Sequence, residues 1–451
     1  MRRWLLSVSV VATCGIGLLS AQAAETAEKS AAERGREIIL RRPLNPGVWS
    51  HQAYENVWKQ WGLKEKPADY GRAFRERYGL HAAPYDNHGL PMGLMQSNRW
   101  LRKGIVNNCL LCHAGSIAGR TYIGLGNASL DFQSLFDELT AGDGLKIDLP
   151  FRFSYVRGTI DPVSPVAFLM RYRDADLNLQ KPVDLTYFKD VCSDPPAWWL
   201  IKRKKTRDWT GGIDARSTRV DLVNLLSPFH SGDDVKKQEP VFADILAFLH
   251  SVEAPKYPFA VDAKIAERGK AVFTQHCSKC HGTYGRDGTY PNRIVSIEKL
   301  GTDPVLAESV SEKNIEYFNK SWLAQQVGPD GERFRIMENH GYQAPPLDGI
   351  WATAPYFHNG SVPTVYHVLN SKARPKIYTR SFRTGEEEYD AAKLGWKIQE
   401  LAESPDPASP GIERRRVYDT TQRGRGNGGH QYGDKLTEDE RLAVIEYLKT
   451  L

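Results

Sequence analysis

The chain has 451 residues, of which 41% are hydrophobic and 25% are charged. This length and composition are sufficient for two or three domains with hydrophobic cores, and they exclude a disordered or fibrous protein. The formal net charge is only +6, and the basic runs are short, as at residues 202–205. A short run of this kind is typical of a solvated face, so nucleic acid is excluded as a partner.

The N-terminal segment predicts export. Arg2 and Arg3 precede an apolar run over residues 4–19, and Ala21-Gln22-Ala23 is the small-residue pattern that a signal peptidase cleaves. Because the apolar run is short and contains polar residues, we interpret residues 1–23 as a cleaved signal peptide and not as a membrane anchor. We therefore expect a periplasmic protein with no integral membrane span after signal removal.

The cysteines carry the strongest chemical signal. Cys14 lies in the predicted signal peptide, and four of the remaining five cysteines fall in two C-x-x-C-H motifs. The two motifs are Cys109-Leu110-Leu111-Cys112-His113 and Cys277-Ser278-Lys279-Cys280-His281. In such a motif two thiols bind covalently to one haem, and the histidine that follows supplies a nitrogen ligand to the iron. The sequence therefore predicts two haem c groups, with His113 and His281 as axial ligands.

Other functions of these cysteines are less consistent with the pattern. A zinc site pairs C-x-x-C elements that lie close together in sequence, whereas these two motifs are far apart. A redox-active dithiol does not explain why histidine follows both times. Cys192 is left as a lone thiol, and we interpret it as buried and inert.

The sixth ligand of the first iron has several candidates. His81, His88, Met92 and Met95 lie upstream of the first motif, and any of them could complete the coordination. The alternative for the two methionines is that they are packing residues of the haem pocket. If none of the four binds, the first iron has an open coordination position.

The segment that follows the first motif predicts long loops with short helices. Residues 115–235 are rich in Trp, Pro, Gly and charged residues, and insertions of this kind usually shape a site. Trp198, Trp199 and Trp209 lie in this segment, and we interpret them as packing residues. Asp137 and Glu138 could supply an acid to a peroxidase, but the alternative is that they occupy an exposed helix face.

Helical signals surround the second motif. Residues 242–249 have the spacing of an amphipathic helix, and a Pro-containing linker follows. Asp262 is placed to cap a new helix that runs to Cys277, and each C-x-x-C-H motif is expected at the end of a helix. Residues 437–440 form a capping-box pattern before a closing amphipathic helix. We predict a mainly α fold with two cytochrome c-like haem domains over residues 24–255 and 256–451, long loop insertions and little β structure.

Two segments of the second domain carry a family resemblance. Residues 258–285, PFAVDAKIAERGKAVFTQHCSKCHGTYG, and residues 353–364, TAPYFHNGSVPT, resemble the superfamily of bacterial diheme cytochrome c peroxidases. The resemblance is closer to the diheme rubber-oxygenase-like cytochromes. It covers most of the second domain and only a small part of the first.

The resemblance implies that His358 is the distal ligand of the second haem, so that His281 and His358 together close that iron. The alternative is that His358 only hydrogen-bonds a haem propionate or the loop backbone. Met337 is the next candidate ligand, whereas His340 and His367 are interpreted as surface histidines. The resemblance also implies an open first haem and a tryptophan that transfers electrons between the haems.

These observations predict a periplasmic diheme redox protein. One haem would transfer electrons, and one open haem would carry out peroxide or dioxygen chemistry, as in a haem oxidoreductase of peroxidase or oxygenase type. The expected partner is a redox protein or a small oxidant. The alternative function is a pure electron carrier in which both haems are six-coordinate.

Overall fold

The computed structural model describes residues 28–98 and 103–451, so the predicted signal peptide lies outside the described residues. Within these ranges the chain is 36% helix and 11% strand, which confirms the predicted mainly α class. In the same ranges no helix is both long and apolar enough to cross a membrane.

Fifteen α-helices lie within the described residues. They are α1 Ala31–Arg41, α2 His51–Asn56, α3 Tyr70–Tyr78, α4 Phe132–Gly142, α5 Ser164–Met170, α6 Gly232–Lys236, α7 Glu239–Ser251, α8 Ala263–His276, α9 Ser278–His281, α10 Ile297–Leu300, α11 Val305–Glu308, α12 Glu312–Lys320, α13 Val365–Leu369, α14 Gly411–Arg415 and α15 Glu438–Leu448. Short 3₁₀ helices connect several of them, including Cys109–Leu111 and Trp198–Arg203. The segment over residues 115–235 contains the predicted loops and short helices, and it also contains short strands.

The strands form small antiparallel sheets. They are β1 Leu94–Ser97, β2 Gly104–Asn107, β3 Ala114–Ile117, β4 Arg120–Ile123, β5 Thr206–Arg207, β6 Ile213–Asp214, β7 Ile294–Ser296, β8 Gly341–Gln343, β9 Ile377–Thr379, β10 Tyr389–Asp390, β11 Gly395–Trp396, β12 Gln399–Glu400 and β13 Val417–Asp419. In the described residues β12, β9 and β13 form a three-stranded sheet, and the other strands pair two by two.

Two helix pairs organise the two halves in the same way. Helix α1 packs against α7, and α8, which leads into the second motif, packs against the closing helix α15. The predicted caps are present: Asp262 accepts hydrogen bonds from the first turn of α8, and Thr437 and Glu440 form a capping box on α15. Side-chain caps satisfy amide groups that a helix start would otherwise leave unpaired.

A glycine lies at the crossing of each helix pair. A Cβ atom on Gly35 of α1 would lie 2.0 Å from the backbone oxygen of Asp244 on α7. A Cβ atom on Gly269 of α8 would lie 1.8 Å from the backbone oxygen of Ala443 on α15. Both distances are far below van der Waals contact, so each crossing requires a residue without a side chain.

We expect Gly269→Ala to destabilise the protein by about 1–3 kcal/mol or more, because the added methyl group forces α8 away from α15. Gly71→Ala in α3 is the matched control. There the nearest atom to an added Cβ would be the end of a flexible arginine at 3.4 Å. In that position alanine should be neutral or slightly stabilising, since it has the higher helix propensity. Thermal unfolding of both variants is the measurement, and equal midpoints would contradict the close-packed crossing.

The hydrophobic cores cross the sequence boundary predicted near residue 256. The first cluster combines residues 39–249 with Phe318, Leu323 and Ala324. The second combines residues 117–125 and 197–200 with residues 273–448. Segments from each half therefore complete the core of the other half, and the division into domains 24–255 and 256–451 stays a prediction.

Candidate haem-binding sites

The first motif follows a strand and not a helix, so the prediction that each motif ends a helix is wrong here. β1 and β2 form a hairpin, and Ile105 of β2 also pairs with Trp49. The β-branched residues Ile105 and Val106 are buried and suit an extended chain. Asn108 then accepts a hydrogen bond from the backbone of Leu110, which starts the 3₁₀ turn of the motif.

The second motif has the predicted helical context. Helix α8 ends at His276, and Cys277 is the residue that caps it. Residues Ser278–His281 form the short helix α9, which Gly282 terminates with a positive φ of 83°. A Cβ atom at Gly282 would also lie 2.2 Å from the backbone oxygen of Thr289, so glycine is needed at this turn.

The two motif histidines are oriented by the same kind of hydrogen bond. Nδ1 of His113 lies 3.2 Å from the backbone oxygen of Pro196, and Nδ1 of His281 lies 2.8 Å from that of Pro345. A carbonyl oxygen can only accept, so Nδ1 carries the hydrogen and Nε2 keeps its lone pair. Metal-binding histidines are held in this way.

Burial keeps both rings in the form that binds a metal. It lowers the pKa of His113 to about 4, against which the Pro196 contact acts only partly. Burial also lowers the pKa of His281. Both imidazoles are therefore neutral at physiological pH, as an iron ligand must be.

Three of the four motif thiols have a raised pKa. Burial raises the pKa of Cys109 and Cys277 to about 11 and that of Cys112 to about 12. A catalytic dithiol instead depends on a lowered thiol pKa. Cys192 is 1% exposed, and burial raises its pKa to about 11, so the prediction of a buried thiol is confirmed.

A second histidine faces His281, and the sequence did not single it out. The ring centres of His281 and His430 lie 6.2 Å apart, with 63° between the ring planes. Two imidazoles that bind one metal ion from opposite sides, through bonds of about 2 Å, place their ring centres roughly 6 Å apart. Burial lowers the pKa of His430 to about 3, so this ring is also neutral.

Arg374 holds the loop that carries His430. Its guanidinium donates hydrogen bonds to the backbone oxygens of Asn427, Gly429 and His430, at 2.6, 2.7 and 3.3 Å. It also donates to the backbone of His367 at 2.9 Å. His430 itself has a positive φ of 45°, a conformation uncommon for a non-glycine residue. The loop therefore presents His430 in a fixed position.

The residues at both motifs fit a haem c group. Each motif supplies two thiols and a neutral histidine whose Nε2 is free to bind iron. At the second motif the separation of His281 and His430 also fits ligation from both sides. His430 Nδ1 is buried without a hydrogen-bond partner, so its ring orientation is set by packing.

His358 occupies a different environment from His430. Its ring stacks on Tyr342 with 3.8 Å between ring centres and 14° between planes. The side chain is 4% exposed, its Nε2 has no hydrogen-bond partner, and burial lowers its pKa to about 3. Within the described residues, the histidine ring in contact with His281 is that of His430. The ligand role of His358 stays a prediction.

The candidate ligands upstream of the first motif are engaged elsewhere. Met92 is 1% exposed and packs in the first hydrophobic cluster. The sulfur of Met95 accepts a hydrogen bond from Asn108 at 3.8 Å. Nε2 of His81 contacts Asn127 at 3.1 Å, and His88 is exposed. Within residues 28–98 and 103–451 no second histidine ring contacts His113. The ring of Trp198 stacks on His113, with 5.1 Å between the ring centres.

The remaining candidates have ordinary structural roles. Met337 is 45% exposed, and His340 is an exposed partner of Glu338. His367 is not a surface residue as predicted, because it is buried and contacts the hydroxyl of Thr364 at 2.7 Å. Glu138 does not lie on an exposed face, because Arg77 pairs with it through two bonds of 2.6 and 2.7 Å.

The segment 196–199 connects the two sites. Pro196 and Trp198 contact His113, and Trp199 donates its Nε1 hydrogen to the backbone oxygen of Asp348 at 2.8 Å. Asp348 lies three residues after Pro345, whose carbonyl contacts His281. A short run of backbone and hydrogen bonds therefore joins the two motif histidines. Trp198 and Trp199 are 5% and 1% exposed, and their interpretation as packing residues stays a prediction.

One segment of the chain matches a known protein family. Residues 341–379 match the family model described as RoxA-like, cytochrome c-like. This segment of the chain is therefore similar to a c-type cytochrome. The match confirms the predicted resemblance to the rubber-oxygenase-like cytochromes. The matched segment contains the carbonyl that contacts His281, and it also contains His358.

Two proteins of Sinorhizobium fredii (strain NBRC 101917 / NGR234) are similar in sequence. The uncharacterized protein y4iM is 28% identical over 327 residues, which cover 60% of this chain and 70% of that protein. The uncharacterized protein y4iJ is 31% identical over 296 residues, which cover 52% of this chain and 46% of that protein. The chain therefore spans less than half the length of y4iJ.

Two solved structures have a weak likeness to the chain. A MauG-like protein associated with microbial copper homeostasis has a TM-score of 0.29 and 17% identity, over 68% of this chain and 95% of that one. Hydrazine synthase of Kuenenia stuttgartiensis has a TM-score of 0.24 and 14% identity, over 68% of this chain and 98% of that one.

Proposed function

We propose that this protein is a periplasmic diheme c-type cytochrome with one closed and one open haem site. The second site stores and transfers electrons, and the first carries out peroxide or dioxygen chemistry. The observation that carries the proposal is the difference between the two motif histidines. His281 faces His430 at 6.2 Å, whereas within the described residues the ring that contacts His113 belongs to a tryptophan.

The paired histidines support a closed second site. If both His281 and His430 held the haem iron, no coordination position would be left for a small molecule. We propose His430, and not His358, as the distal residue because only His430 has a ring in contact with His281. Arg374 fixes the His430 loop through backbone hydrogen bonds, which limits reorganisation during electron transfer.

The contacts of the candidate ligands support an open first site. Met92 packs in a hydrophobic core, the sulfur of Met95 is hydrogen-bonded, and His88 faces solvent. Bound haem supplies one-electron redox chemistry and, where a coordination position is free, a place for dioxygen or peroxide. His113 supports this site with a neutral ring held by Pro196.

The segment 196–199 supports electron transfer between the sites. Trp199 is hydrogen-bonded to Asp348, and Trp198 stacks on His113 with 29° between the ring planes. Both side chains are buried, so water does not separate them from their neighbours. An electron stored at the second site has a compact, rigid route to the first. The expected electron source is a redox partner protein.

The proposal predicts that carbon monoxide, added to the reduced protein, binds to one haem and leaves the other unchanged. Cyanide should do the same in the oxidised protein, because only the iron at His113 has a free position. Absorbance and electron paramagnetic resonance spectra measure both, with haem content determined on the same samples. Two low-spin haems that respond to neither ligand would contradict the open site and leave an electron carrier.

A further inference from the structure

A buried arginine and a half-buried arginine share a cavity near the first motif. Arg157 is 4% exposed, and Arg380 lies beside it. Both guanidiniums cover the ring of Phe382, at 4.8 and 4.4 Å from its centre. The cavity that they line measures about 30 Å³, which exceeds the roughly 10–15 Å³ that one water needs. Gly360, Trp396 and Tyr418 also line it.

Each guanidinium has a buried nitrogen without a hydrogen-bond partner. Arg157 uses Nε and Nη2 to donate to the backbone oxygens of Ser129 and Glu76, both at 2.8 Å. Arg380 uses Nη2 to donate to the backbone oxygen of Ala128. Nη1 of both residues is buried and makes no hydrogen bond. An unpaired buried donor is costly, and more so when it carries charge.

The local charge is not balanced by the protein. Among the described residues no carboxylate lies within ion-pair distance of either arginine, and the nearby Asp131 is paired with Arg415 at 2.9 Å. Burial lowers the pKa of Arg157 to about 10, and burial together with Arg157 lowers that of Arg380 to about 9. Burial raises the pKa of the neighbouring Asp194, with Arg380 opposing only partly. Together with Arg416, three positively charged side chains therefore line one cavity.

The cavity lies next to the first motif. Ala128 and Ser129, which accept the arginine hydrogen bonds, directly follow Asn127. The backbone of Asn127 donates to the carbonyl of Cys112 at 2.8 Å, and its side chain donates to that of Leu111 at 3.3 Å. The positive groups are thus bound to the same segment that holds the first motif.

We propose that Arg157 and Arg380 form a buried carboxylate-binding site. Two forked guanidiniums with free nitrogens suit a planar, negatively charged group with two oxygens. A propionate side chain of the first haem is one source of that carboxylate, and this version rests on the proposed function. A small free carboxylate is the other source, and it does not depend on haem.

The first arm of the test uses redox titration of the haem-loaded protein from pH 5 to pH 9. If a propionate occupies the site, Arg380→Gln removes a positive charge near the first iron. The ratio of reduced to oxidised first haem at a fixed potential should then fall about tenfold, and it should become pH-dependent. The second haem should not change. Arg157→Lys keeps one charge but loses the fork, and it should have a smaller effect in the same direction.

The second arm measures thermal unfolding with sodium acetate in place of sodium chloride at constant ionic strength. If a free carboxylate occupies the site, acetate should raise the midpoint of the unaltered protein in a saturable way. Arg380→Gln should abolish this rise, without the redox effect. Arg383→Gln, an exposed arginine of the same loop, is the control for both arms.

The outcomes separate the two sources and the two proposals. A redox effect without acetate binding assigns the site to the haem propionate, and acetate binding without a redox effect assigns it to a free carboxylate. The proposal is overturned if Arg380→Gln and Arg157→Lys match Arg383→Gln in both arms. If the unaltered protein carried no haem, this result would contradict the proposed function, and the acetate arm would still test the carboxylate site.

Discussion

Replacing His430 with alanine is expected to convert one of the two haems from low spin to high spin. The ring of His430 lies 6.2 Å from that of His281 and is held by a loop that Arg374 clamps. Without this ring, the second iron would keep His281 and gain a free position. Electron paramagnetic resonance of the oxidised variant should therefore lose its low-spin signal. Carbon monoxide should then bind to both haems after reduction.

His358→Ala is the decisive companion variant. Both histidines are neutral, because burial of the ring lowers each pKa to about 3, so the charge of the two side chains is matched. Removing His358 leaves Tyr342 without its stacked partner, and the low-spin signal should persist. Imidazole added to His430→Ala should restore the low-spin signal by entering the space left by the ring. The opposite result, with loss of the signal only in His358→Ala, would support the ligand that the family resemblance implies.

The sequence predicted the second site better than the first because its signals are local. Asp262 is two and three residues from the amides that it caps, and the motif of the second site directly follows that helix. Capping and helical spacing act over a few residues and can be read from a sequence. The first motif instead follows a strand whose pairing with Trp49 depends on residues far away in sequence. That context could not be predicted from spacing.

The position of His430 depends on contacts that no short pattern contains. The histidine follows a glycine-rich run, and Arg374 determines where the loop lies through its bonds to backbone oxygens. His358 stood out because it lies in a recognisable word, TAPYFHNGSVPT, and words of this kind indicate a family more directly than a ligand. The pairing of the two arginines could not be predicted either, since Arg157 and Arg380 are distant in sequence and meet only in the fold.

Serine substitutions in one motif at a time should each remove one haem and identify the other. Cys109→Ser with Cys112→Ser is expected to halve the haem bound per protein, because both thiols of the first motif are lost. The remaining haem should be low-spin and should not bind carbon monoxide. Cys277→Ser with Cys280→Ser should also halve the haem content. Its remaining haem should be high-spin and should bind carbon monoxide.

Cys192→Ser is the matched control, because Cys192 is buried outside both motifs and should keep the full haem content. Haem is measured by the absorbance of the alkaline pyridine complex against protein concentration. Loss of both haems from either double variant would indicate that the halves cannot fold separately. Each hydrophobic cluster contains residues of both halves, so a variant that cannot fold should lose its helical circular dichroism signal. If instead both variants retain a low-spin haem that does not bind carbon monoxide, the first site has a sixth ligand. The protein would then transfer electrons without binding an oxidant.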